Sequence, residues 1–169
     1  MSQKATARLV LAAAAALFPL VLHAEGGPVP LKGGYFVTFP SKPAEKEVAP
    51  SPGAKTTVYS VNRDDASFLS GYTEYQKNAD LTVELAADID SFVKSIGAKV
   101  TSQKRTDLIS AEGGRMPRVD FTFENDHAAG RGLALLTTPR SVIMVSAFSA
   151  KPGNQEQVDR FVDSFQLAE

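Results

Sequence analysis

Val142-Ile143-Met144-Val145-Ser146-Ala147-Phe148 is apolar at odd and even positions alike. Successive side chains of a strand point to opposite faces, so a strand of this composition needs cover on both sides. It is expected at the centre of a sheet, with helices packed on more than one face. Just upstream, Val119, Phe121 and Phe123 alternate with Asp120, Thr122 and Glu124, the pattern of a strand with one core face and one wet face. Leu133 and Leu135 continue a strand between the two, reached through an expected loop from Asn125 to Gly130 and left through a turn at Thr138 to Ser141.

Working outward toward the N-terminus, Val100 to Ile109 reads as a strand and Gly113-Gly114 as a turn. Ala66 to Gln76 carries Phe68, Leu69, Tyr72 and Tyr75 on both faces, which places it inside the sheet, with Gly71 as a point of close approach. Lys55 to Asn62 forms the preceding strand of a hairpin that turns through Asn62 to Asp65. Tyr35 to Phe39 alternates and is ended by Pro40, and Pro40, Pro43, Pro50 and Pro52 frame Glu45 to Val48, an edge strand or loop.

Two segments change period. Leu85, Ile89, Phe92, Val93 and Ile96 lie on one helical stripe, which predicts a helix over Leu81 to Ile96 with Asp80 as its cap and Gly97 as its stop. Asn154 caps a second helix with Gln157 three residues on, its stripe being Val158, Phe161, Val162 and Phe165. Strands, helix, strands, helix in this order indicate an α+β fold, a central and mostly antiparallel sheet of about six to seven strands flanked by helices. A parallel doubly wound sheet would need more crossover helices than these.

The start of the chain reads as an address. Lys4 and Arg8 precede the uncharged run Leu9 to Leu22, with alanine from 12 to 16, and Ala24 offers a small residue for cleavage before Glu25. That is the pattern of a signal peptide over residues 1–24. Its apolar core makes roughly 21 Å of helix at about 1.5 Å per residue, short of a bilayer's apolar thickness of about 30 Å. No arginine pair is present, so the general secretion route is expected, and with it a periplasmic or secreted location. No later apolar run approaches the length of a membrane span, so no stable membrane insertion is expected once the signal is gone. Residues 25–34 carry Gly26, Gly27, Pro28, Pro30, Gly33 and Gly34 and read as a flexible leader, which leaves 35–169 as a single domain.

Composition narrows the chemistry. In 169 residues, 43% are hydrophobic and 22% charged, the profile of a globular domain. Lys and Arg number 18 against 19 Asp and Glu; with so even a balance, nucleic acid is not an expected partner. The absence of cysteine excludes disulfides, thiolate metal sites and a cysteine nucleophile. The charge is nonetheless uneven: seven acidic residues between Asp64 and Asp90 face only Lys77, while Lys99 to Arg140 is net basic. Such asymmetry can steer a partner and is also what ordinary wet faces carry.

Phe39-Pro40-Ser41-Lys42-Pro43, closing the first strand, and Phe161-Val162-Asp163-Ser164-Phe165, closing the chain, together with the single mid-chain helix, resemble small exported bacterial proteins related to the PsbP-like fold. The resemblance spans roughly Tyr35 to Leu167. It implies an α/β/α sandwich, Phe161 and Phe165 on one helical face, and a role as a largely uncharacterised secreted or accessory protein without catalytic residues.

Each candidate site in the sequence has a plainer role beside it. After the signal, His127 is the only histidine; it sits among turn formers in Asn125 to Gly130, and no G-x-S-x-G elbow presents a nucleophile to it. Ser91-Phe-Val-Lys94 fits S-x-x-K, yet no K-T-G or S-D-N accompanies it, and its plainer role is helix surface. Asp88 and Asp90 suggest a calcium loop, but Val93 stands where that loop needs glycine. Tyr72, Tyr75, Arg115, Arg118, Arg131 and Arg140 are types that interfaces favour, without marking a site. No catalytic, cofactor-binding or metal-ligating residue is assigned, and no cofactor is expected. The expected function is non-catalytic binding of a protein or small molecule in the envelope. The alternatives are a small periplasmic hydrolase using His127 or a carboxylate, and a small-molecule or lipid carrier.

Overall fold

A computed structural model describes residues 27–77, 81–110 and 113–168, with the side chains of 81–84 excepted. In chain order the elements are β1 (Val29–Leu31), β2 (Tyr35–Val37), β3 (Ala44–Ser51), β4 (Ala54–Asn62), β5 (Ala66–Tyr75), α1 (Leu81–Ser95), β6 (Lys99–Ile109), β7 (Arg115–Glu124), β8 (Ala128–Thr138), β9 (Ser141–Ala150), α2 (Gln155–Asp163) and β10 (Gln166–Leu167). Seven strands form one sheet in the order β3-β4-β5-β9-β8-β7-β6, and β1-β2-β10 form a second, all neighbours antiparallel. The two-faced strand β9 takes the central position, buried from Ser141 to Ala147.

Side-chain alternation divides the core in two. Leu133, Leu135, Ile143 and Val145 pack with Val158, Phe161 and Val162 of α2 and with Leu31, Tyr35, Val37 and Phe39 of the small sheet and its exit. Ala134, Val142 and Met144 face the other way, with Phe121 and Phe123, against Leu85, Ile89, Phe92 and Val93 of α1. Gly97, at φ +66°, ends α1 in the left-handed conformation glycine tolerates. The expected cap Asp80 lies outside the described residues.

The fold is neither the helix-flanked α+β domain that the patterning implies nor the α/β/α sandwich that the resemblance implies. Among the described residues strands predominate, ten of them against two helices. The reason lies on the α2 face, where a three-stranded sheet covers what a second layer of helix was expected to cover. Two short strands build it from segments read otherwise. Val29–Leu31 lies in the expected flexible leader, and Gln166–Leu167 lies just past the expected helical stripe, whose last member was Phe165. Each pairs with β2, at opposite edges, so Pro30 needs no partner on its outer side. Phe165 accordingly leaves the α2 stripe. Ser164 closes the helix, its hydroxyl donating to the Phe161 carbonyl (2.7 Å) and accepting from the Thr38 N–H (2.9 Å), and Phe165 packs on Tyr35 instead. The loop expected over Asn125 to Gly130 is also shorter, because Ala128 to Gly130 join β8.

Gly130 shows why that strand needs a glycine. It pairs with Phe123 on β7 and Phe148 on β9. A Cβ there would meet the Phe123 ring and stand 2.6 Å from the Ala147 carbonyl oxygen. Gly130→Ala is expected to cost about 1–3 kcal/mol through overpacking in the sheet centre. Gly71→Ala, whose nearest neighbour is Thr56 Cγ2 at 3.8 Å, is expected to be neutral or mildly stabilising. Urea unfolding of the two variants checks the contrast; equal effects would mean that the aromatic rings do not lie over the glycine.

Candidate functional site

Residues that sequence reasoning singled out are held in structural roles. Asn125 Oδ1 accepts the N–H groups of His127 (2.9 Å) and Ala128 (2.7 Å), and the His127 carbonyl accepts the Lys151 N–H (2.7 Å). These bonds fix the turn through its backbone, and among the described residues none reaches the exposed imidazole. Lys94 bonds Asp90 (2.6 Å) one turn earlier on α1, an ordinary surface pair of a helix. Asp88 is buried and accepts the Tyr75 hydroxyl (2.9 Å), so the two aspartates point to different partners. Among the described residues no three acidic or histidine side chains converge as a metal site requires. None of their helices is long and apolar enough to cross a membrane. The cleavage residues Ala24 and Glu25 lie outside the described residues.

The arginines are also engaged. Arg118 binds Asp120 through two contacts (2.9 and 2.6 Å). Arg131 reaches Asp163 (2.8 Å) and Asp159 (3.6 Å), tying β8 to α2. Burial works against the charge of Arg131, but the Asp163 bond, with the Asp163, Asp159 and Asp120 charges, outweighs it and holds its pKa above the ordinary value.

What the register brings together is a group of which the sequence marked only Tyr72. Glu47 on β3 lies opposite Thr57 on β4, and Thr57 lies opposite Tyr72 on β5; Lys55 lies opposite Glu74. The alternation that buries Tyr59 and Phe68 on the α2 side puts these side chains on that same face. Lys55 bonds Glu47 (2.8 Å) and Lys32, from the β1–β2 turn, bonds Glu74 (2.9 Å). The Glu74 bond raises the Lys32 pKa, and the Lys55 bond lowers that of Glu47. Lys32 also stands 5.9 Å above the Tyr72 ring, and its backbone N–H donates to the Tyr59 hydroxyl (3.2 Å). Gly33, at φ +97°, lets this turn lie on the ring, since a Cβ there would collide with Tyr72.

Next to these pairs the sheet opens. A register shift between Val48 and Ser51 interrupts the β3–β4 ladder just before Ser51 pairs with Ala54, and a shallow concavity of about 660 Å³ lies there, lined by Glu47, Val48, Pro52, Lys55, Glu74 and Tyr75. The Thr57 hydroxyl, in a residue only 1% exposed, has no hydrogen-bond partner among the described residues. An unsatisfied buried hydroxyl costs free energy, of the order of 1–3 kcal/mol. No motif flags these residues; only strand pairing assembles them. The chain matches no protein-family model, and no curated protein matches it.

Proposed function

We propose that the protein is exported and works in the bacterial envelope by binding a partner polypeptide without turning it over. The partner sits at the end of the seven-stranded sheet that carries Glu47, Lys55 and Glu74, where Lys32 reaches in from the β1–β2 turn. One observation carries the reading: two lysine–carboxylate pairs, one joining β3 to β4 and the other joining the β1–β2 turn to β5, stand beside an open concavity. Exposed pairs of this kind add little stability to a fold, whereas charges fixed in position give orientation and selectivity to an encounter. The signal-like pattern of residues 1–24 and the resemblance to exported PsbP-like proteins support the location.

The test uses the full chain, tagged at its C-terminus and expressed in bacteria. The mature protein is expected to begin at Glu25 by mass spectrometry and to retain a partner from envelope extract. Glu47→Lys with Glu74→Lys should release that partner while the circular dichroism stays unchanged. A partner indifferent to both replacements moves the site elsewhere on the surface. Turnover of a substrate that His127→Ala abolishes, with folding intact, would replace binding by hydrolysis.

A further inference from the structure

The two edges of the seven-stranded sheet are treated differently. β3 is blunted by Pro50, by Pro43 just before it and by the register shift between Val48 and Ser51, devices that keep an edge from pairing with another strand. β6 carries no proline, and its register shift lies at its start, between Val100 and Ser102. From Ser102↔Thr122 to Ile109↔Arg115 its pairing with β7 is unbroken, and its outer side has no partner strand among the described residues. That is eight residues of regular edge, about 26 Å at 3.3 Å per residue, with side chains 101–105 all exposed.

Its charge is one-sided. The acid of β6, Asp107, is taken by Arg115 (3.7 Å). Lys104 lies opposite Asp120, but Asp120 is already held by Arg118. Lys99, Lys104 and Arg105 make no ion pair among the described residues. Lys104 and Arg105 are adjacent, so they project to opposite faces of the sheet, and Ile109, 64% exposed, stands at the far end of the same edge. A second copy adding its own β6 antiparallel about this centre would set cations against cations, which is destabilising. The charges that deter self-pairing also select a strand of opposite sign.

We propose that the β6 edge is a docking site for an extended acidic segment of a partner polypeptide, which adds to the sheet as an eighth strand. Backbone hydrogen bonds supply the affinity, glutamates or aspartates meeting Lys104 and Arg105 supply the selectivity, and an apolar side chain covers Ile109. This surface is separate from the Glu47–Glu74 end and stands or falls without it.

Three capped nine-residue peptides test it by fluorescence anisotropy: one of alternating valine and glutamate, the same with a central proline, and the same with lysine for glutamate. The acidic peptide is expected to bind, more weakly as salt rises, and the other two at least tenfold more weakly. Lys104→Glu with Arg105→Glu should reverse the order of the acidic and basic peptides. The milder Lys104→Gln with Arg105→Gln should weaken acidic binding, and Glu47→Lys with Glu74→Lys should leave it unchanged. Amide hydrogen exchange is expected to slow on β6 alone. Equal binding of the proline peptide, protection on any other strand, or no binding by the acidic peptide overturns the proposal.

Discussion

Phe161→Ala is expected to lower the free energy of unfolding by about 3–5 kcal/mol, measured by urea denaturation at neutral pH. The ring is 2% exposed and meets Phe39 at 5.0 Å and Phe68 at 5.3 Å between centroids, both edge-on at 62° and 67°. Those rings come from the exit of β2 and from β5, so Phe161 packs α2 against both. Removing Phe161 forfeits the transfer of the ring from water and leaves a cavity that the sheet cannot close, because β5 is held on both sides by β4 and β9. Edge-on aromatic contacts add to the loss, about 0.5–1.5 kcal/mol per pair. Phe165→Ala is expected to cost clearly less, because Phe165 is only half-buried and makes one ring contact, with Tyr35 at 5.8 Å. Equal losses at the two positions, or a loss under 1 kcal/mol at Phe161, would show that α2 is not anchored by this ring.

The contrast between those phenylalanines marks where the sequence was legible. A stripe at 158, 161, 162 and 165 is sound helical spacing, and three of its members do bury on α2. The fourth is claimed by a tertiary contact: Thr38, 126 residues away, takes the Ser164 hydroxyl and turns the chain out of the helix. The same holds for β1 and β10, three and two residues long. Strands so short have no period to read, and they exist because β2 offers a free edge to each. The apolar run at Val142–Phe148 could be placed at the sheet centre because burial on both faces is written in its composition; what covers those faces is not. Helix was inferred where a small sheet does part of the covering, and that is the source of the corrected fold class.

The candidate site was illegible for a related reason. Lys55, Thr57 and Tyr59 read as an ordinary alternating strand, and Glu47 as part of a charged edge. Their chemistry depends on which residues stand opposite, and a slip of one residue in the β3–β4 register would send Glu47 to the other face. Register is set by the whole sheet, so a window of ten residues does not contain it. His127, the conspicuous residue in sequence, is conspicuous through being the lone histidine after residue 24, which is a statement about composition and not about geometry.

Tyr35 is expected to make the fold sensitive to alkali, with a cost reaching about 2.7 kcal/mol at pH 12 relative to pH 8. Its side chain is 1% exposed and its hydroxyl is 2.7 Å from Ser70 Oγ, across from β2 to β5. Burial raises its pKa well above the ordinary tyrosine value, and the bond to Ser70 offsets only part of that rise. Below about pH 10 the tyrosine is protonated folded and unfolded, and the stability it contributes is fully present. Above that, the unfolded chain releases the proton while the folded one keeps it, so stability falls by about 1.4 kcal/mol per pH unit until the folded group titrates. Tyr35→Phe removes this slope. At pH 8 it also leaves the buried Ser70 hydroxyl without its partner, at a cost of about 1–2 kcal/mol. The two stability curves should therefore cross near pH 11, with the wild type more stable below and the phenylalanine variant above. Urea unfolding at intervals from pH 8 to 12 reads the crossing. Curves that stay parallel throughout would mean that the Tyr35 hydroxyl is open to water and that the small sheet does not seal this part of the core.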